Sequence, residues 1–134
     1  MTTNDIPDDR SYTDEHEWVM IAPGVNAVPS SPVRVGITSV AATALGELVF
    51  LDLPEVGSSI EAGQTCGEVE STKTVSELYP PVSGEVTTLN QAAIDDPSLV
   101  TQDPYGEGWL FEVQATELGA LLTAEQYADK NGDQ

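Results

Sequence analysis

The sequence predicts a mainly β protein of two antiparallel sheets, with short flanking helices and a helical C-terminus. Three observations carry that expectation. Apolar and polar residues alternate over short runs, as in V-R-V-G-I from Val33 and in the tripeptide G-E-V, which occurs at Gly67 and again at Gly84. Eleven glycines and nine prolines cut the chain into segments too short for long helices. From Thr116 onward the pattern changes, with Leu118, Leu121, Leu122 and Tyr127 recurring at helical spacing.

Taken in order, residues 1–11 are polar, carry Pro7 and are expected to form a flexible arm. Residues 12–21 end in Trp18, Val19, Met20 and Ile21 and are expected as a strand, followed by a connection dense in Pro, Gly and Ser. After the strand through Val33, Val35 and Ile37, Thr38 or Ser39 can cap a short helix through S-V-A-A-T-A-L-G. Gly46 stands where a left-handed helix end favours glycine. Residues 47–53 resume a strand that Pro54 closes, and Gly57 and Gly63 mark turns. The repeated G-E-V suggests two similar half-units, and Lys73 falls near their midpoint, at or near the tip of a protruding hairpin. Residues 91–100 read as a short turn or helix, D-P-Y-G-E-G as a tight loop and W-L-F-E-V as the last strand. Thr123 reads as a cap between two short helices. One domain spanning residues 12–129 and a frayed tail at 130–134 complete the expectation.

Four Lys plus Arg against twenty-three Asp plus Glu give a formal charge of −19, which disfavours nucleic acid and anionic membrane surfaces as partners. The acid serves solubility, or steers the chain toward partners with positive active-site mouths. Cys66 is the only cysteine, so no internal disulfide forms and a small buried hydrophobe is the expected role. The N-terminus lacks transit-peptide and signal-peptide character, no stretch is long enough to cross a bilayer, and a cytoplasmic protein is expected.

Lysine is where chemistry is sought, because the chain has only Lys73 and Lys130. An exposed amine on a stiff turn suits the attachment of an acyl cofactor through an amide. On lysine count alone, an ordinary solvated side chain is the simpler account. His16, flanked by Glu15 and Glu17, has no second histidine to work with, so a structural role is expected. Trp109 and Tyr105 are expected as core and loop anchors, and no Gly-rich phosphate loop is present.

The segment V-E-S-T-K-T-V-S-E-L-Y-P-P-V-S-G-E-V resembles the lipoylation hairpin of glycine cleavage H proteins. The resemblance continues through Y-T-D-E-H-E-W-V, V-G-I-T, L-G-E-L-V-F-L-D-L-P-E-V-G, D-P-Y-G-E-G-W and L-L-T-A-E-Q-Y, nearly all of the chain from Tyr12 to Tyr127. It implies a lipoyl/biotinyl-type barrel-sandwich hybrid and a non-catalytic carrier with lipoate in amide linkage to Lys73. Glu70, Glu77 and Gly84 would be recognised by the lipoylating enzyme, and Glu17 and Trp18 would line a surface cleft for the loaded arm, with Glu17 near the aminomethyl nitrogen. The implied partners are a pyridoxal-phosphate (PLP) glycine decarboxylase, a tetrahydrofolate-dependent aminomethyltransferase and a flavin dihydrolipoamide dehydrogenase.

Two departures from the family pattern stand out. The lysine is flanked as T-K-T rather than V-K-A, and Glu112 occupies a position where a basic residue is common, which bears on partner docking. The alternatives are a biotinyl domain, which usually places methionines beside the lysine, and a lipoyl module of a 2-oxoacid dehydrogenase, which usually has Asp before it. An H-like protein that relays lipoyl groups outside glycine cleavage would carry the same hairpin. An enzyme is the remaining class, and the chain lacks a Cys–His pair, a Ser–His arrangement or a metal cluster to support one.

Overall fold

A computed structural model describes residues 6–25 and 27–131. The expected class holds: two antiparallel sheets with short helices at their edges. The six-stranded sheet contains β1 (Ser11–Tyr12), β2 (Glu17–Val19), β3 (Val33–Ile37), β5 (Ser59–Ile60), β8 (Val82–Leu89) and β9 (Phe111–Leu118), in the order β1-β2-β3-β9-β8-β5. The three-stranded sheet, in the order β4-β6-β7, contains β4 (Leu48–Asp52), β6 (Gly67–Ser71) and β7 (Val75–Leu78). Inward residues of both sheets form one core, including Val35, Ile37, Leu51, Val69, Leu78, Val86 and Val113.

The G-E-V echo has a physical basis. In each copy the glutamate is exposed and the valine is buried, Val69 in one sheet and Val86 in the other. A side chain on Gly67 would begin 2.3 Å from the Asp52 carbonyl oxygen, and one on Gly84 would begin 2.2 Å from that of Gln114. Both glycines therefore let a neighbouring strand come close.

The first helix, α1 (Ser39–Leu45), is capped by Thr38, whose Oγ1 accepts from the Ala41 N–H at 3.2 Å, and buries Ala42 and Leu45. It ends at Gly46, whose φ of +81° favours glycine as its position suggested, but whose ψ of −137° is not that of the left-handed helical cap expected there. Two single-turn helices, α2 (Gln91–Asp95) and α3 (Ser98–Gln102), occupy the segment expected as turn or helix. The last helix, α4 (Ala124–Asn131), is capped reciprocally: Thr123 Oγ1 accepts from the Gln126 N–H, and Gln126 Oε1 accepts from the Thr123 N–H.

Several expectations are corrected. Residues 12–21 are not one strand but a tight hairpin of β1 and β2, with Tyr12 opposite Trp18 and a turn at residues 13–16. His16 there adopts φ +68°. Residues 116–118 extend β9 rather than starting a helix, so Thr123 caps a single helix. Arg10 and Ser11, placed with the flexible arm, are buried: Ser11 Oγ donates to the Ile21 carbonyl at 2.9 Å. Residues 1–5 of that arm and 132–134 of the tail lie outside the described residues.

A second cluster ties the N-terminal hairpin to α4. Tyr12 and Tyr127 stack with centroids 5.2 Å apart, and the Tyr127 hydroxyl lies 2.7 Å from His16 Nδ1 and 2.8 Å from Thr38 Oγ1. His16 is thus part of a structural network, as expected. No helix among the described residues is long and apolar enough to cross a membrane.

Candidate functional site

The β6–β7 hairpin carries Lys73 at its tip, with Glu70 opposite Val75 and the Ser71 N–H donating to the Thr74 carbonyl at 2.8 Å. Two-residue hairpin turns usually need φ > 0 at one or both central residues. Neither Thr72 nor Lys73 has it. The buried Ser71 hydroxyl instead holds the turn, accepting from the Lys73 and Thr74 N–H groups, each at 3.1 Å, and lying 3.2 Å from the Thr74 carbonyl. The Thr72 N–H donates to the Glu47 carbonyl at 3.0 Å, anchoring the tip to the start of β4.

On this support Lys73 is exposed and has no ion pair among the described residues, whereas Lys130 pairs with Asp14 at 3.4 Å. The end of the Lys73 side chain passes over Gly46: a Cβ built there would lie 3.6 Å from Nζ. Lys73 is open to solvent. Among the described residues no group of His, Cys, Asp and Glu is arranged to hold a metal ion.

Glu70 and Glu77 are exposed on the outer face of the hairpin, as the resemblance requires of residues to be recognised. Gly84 is not with them. It is buried in the other sheet, where the Gln114 carbonyl accounts for the glycine.

Glu17 and Trp18 do not line an open cleft. Trp18 is 1% exposed, donates through Nε1 to the Pro104 carbonyl at 3.0 Å and lies under the Arg10 guanidinium. Glu17 is 2% exposed; its Oε2 accepts from the Tyr79 N–H at 2.7 Å, while Oε1 has no hydrogen-bond partner among the described residues. Burial pushes its carboxyl well above the ordinary glutamate range, against the opposing effect of the Tyr79 hydrogen bond.

Tyr79 is the residue beside the Glu17 and Glu77 carboxyl groups that the sequence reading did not single out. Its N–H meets Glu17 and its hydroxyl donates to Glu77 Oε1 at 2.7 Å, so it links the two carboxyl groups. The hydroxyl's pKa is raised by that hydrogen bond to Glu77. A shallow groove of about 310 Å³ borders it, lined in part by Thr13, Glu15, Ala62 and Pro80. Its position just before Pro80-Pro81 was the available signal.

The remaining candidates have structural roles. Burial pushes the Cys66 thiol up to about 12, which leaves it unreactive near neutral pH. Tyr105 accepts from the Ser39 N–H at 2.9 Å and anchors its loop on α1. Glu112 accepts from Arg34 Nε at 3.1 Å, and Arg34 lies over the Trp109 ring, so the acid at this position is locally compensated.

The sequence profile of the glycine cleavage H-protein family matches residues 10–134. The chain belongs to the glycine cleavage H-protein family. A glycine cleavage system H protein of Corynebacterium aurimucosum is 54% identical over 127 residues, covering 95% of this chain and 96% of that protein. One of Thermobifida fusca is 55% identical over 123 residues, covering 91% of this chain and 92% of the relative. The crystal structure of a glycine cleavage system H protein from Mycobacterium marinum superposes with a TM-score of 0.93 at 62% identity, covering 95% of this chain and 99% of that one. The H-protein family therefore accounts for both sheets and for the hairpin that presents Lys73.

Proposed function

We propose that this chain is the lipoyl carrier of a glycine cleavage system, with lipoate joined to Lys73 Nζ as an amide. The observation that carries the reading is an exposed lysine, with no ion pair among the described residues, on a turn braced by Ser71 in a member of the H-protein family. The fit to the cofactor is steric and chemical. Nζ has open solvent for attack on an activated acyl carbon, and the attack expels the activating group and gives the excess amine proton to solvent or base. Acylation removes the one cationic centre at the tip, so the arm can enter an apolar channel without desolvating an ammonium.

Once bound, the dithiolane would accept an aminomethyl group at the PLP glycine decarboxylase and yield it to the tetrahydrofolate-dependent aminomethyltransferase, before dihydrolipoamide dehydrogenase reoxidises it. The chain itself catalyses none of these steps. Its residues tether and present: the braced turn fixes the origin of the arm, raising the effective concentration of the reactive end at a docked partner to the order of mM. Glu70 and Glu77 are offered to the lipoylating enzyme. Glu17 remains the proposed contact for the aminomethyl nitrogen, supported by its unpartnered oxygen beside the Tyr79 groove, and the contact requires the groove to open toward it.

Intact mass after incubation with a lipoylating enzyme and lipoyl donor tests the attachment. Wild type is expected to gain one lipoyl group and Lys73→Arg none, with unchanged thermal midpoints because the site is exposed. A gain in Lys73→Arg would refute it. Reconstituted glycine decarboxylation tests the role: lipoylated protein that gives no stimulation would point instead to lipoyl relay.

A further inference from the structure

Next to the lysine turn, the outer face of the three-stranded sheet bears an apolar patch that neither the fold nor the attachment explains. Between Leu48 and Phe50 the pairing of β4 with β6 is interrupted by a bulge: Leu48 lies opposite Ser71 and Phe50 opposite Glu70. The extra residue, Val49, is turned outward along with its neighbour, leaving Val49 47% and Phe50 55% exposed. Regular alternation would have turned one of the two inward. Phe50, Glu70 and Val75 form one row across the three strands, and Val75 is 51% exposed. That row directly precedes the Ser71–Thr74 pair that closes the lysine turn.

The row behind it is equally unusual. Asp52 lies opposite Glu68, and Glu68 opposite Glu77, so three exposed carboxylates stand side by side. Like charges in directly opposed positions weaken a sheet. The face therefore carries two exposed apolar side chains, Phe50 and Val75, on either side of Glu70, with an acidic border behind them and the cofactor amine at one end.

We propose that this face is the docking surface for the enzyme that acylates Lys73, and that this enzyme meets it with apolar contacts to Phe50 and Val75 and with Lys or Arg side chains facing Glu70 between them and the carboxylate row behind. The inference rests on the reading of Lys73 as the attachment site. Two features select the occupant. Glu70 and Val75 end the hairpin that bears Lys73 and Phe50 lies beside them on β4, so a protein that closes around Lys73 covers the Phe50–Glu70–Val75 row. The carboxylate row repels a second copy of this chain and complements a basic rim.

Lipoylation rates measured over a range of concentrations of the full-length unmodified protein test the proposal. Phe50→Ser and Val75→Ser should each raise the KM for the protein about tenfold with little change in kcat, as for loss of an interface anchor. Glu68→Lys, a surface change that keeps the fold, should also raise KM, and the increase should shrink with added salt. Val56→Ser, at a side chain 60% exposed in the turn beyond the far end of β4, should leave KM unchanged. Unchanged KM in Phe50→Ser, Val75→Ser and Glu68→Lys overturns the proposal, as does an equal rise in Val56→Ser or a wild-type dimer that Phe50→Ser dissociates. A wild-type protein that gains no mass would instead overturn the attachment reading, so the two failures are distinguishable.

Discussion

Burial with a single hydrogen bond to one carboxylate oxygen raises the pKa of Glu17 well above the ordinary glutamate range. The folded state then binds the Glu17 proton more tightly than the unfolded chain does. Above the ordinary value of 4.5 and up to the raised pKa, the unfolded state is the more deprotonated, so this residue's contribution to stability falls as pH rises. Glu17→Gln keeps an acceptor for the Tyr79 N–H and removes the titration. Denaturant unfolding between about pH 4 and 8 should show the wild type losing stability relative to the variant as pH rises; a constant difference would contradict the assignment. Lys73 was legible in the sequence because its polar neighbours leave it no apolar side to bury. The burial of Glu17 was not, because a glutamate between His16 and Trp18 carries no local signal that it is buried, and the resemblance placed both Glu17 and Trp18 at a surface cleft. The left-handed turn at His16, which folds this segment back onto α4 and β7, has no glycine to announce it.

The lysine hairpin depends on a side chain rather than on a turn-forming sequence. Ser71 is 4% exposed, and its hydroxyl satisfies two backbone donors that the turn itself leaves open. Ser71→Ala should cost about 1–2 kcal/mol in denaturant unfolding and slow lipoylation by loosening the presentation of Nζ. A variant with wild-type stability and rate would show that the turn holds its shape without the hydroxyl. The elements with strong local signals were legible: α1 between Thr38 and Gly46, and the strands that begin with G-E-V. The C-terminal segment was misread because the leucines at 118, 121 and 122 match a helical period, yet pairing with β8 extends to Leu118 opposite Val82. Long-range pairing of this kind overrides local spacing.

For the whole molecule, the formal charge of −19 sets how partners approach. Association with a partner whose active-site mouth is positive should slow as salt is raised, because the attraction is screened beyond about 8 Å at physiological ionic strength. Stopped-flow association rates that do not change with salt would rule out steering. The two-sheet class was legible because short alternating runs and frequent turn formers constrain the architecture. The division of strands between the sheets was not, since register across β8 and β9 passes through irregularities that a linear pattern does not encode. The scarcity of lysine has a further consequence. With Lys73 as the proposed attachment site, Lys130 is the one other side-chain amine an electrophile can meet, so fidelity of labelling would lie in what the surface leaves out as much as in what a modifying enzyme selects.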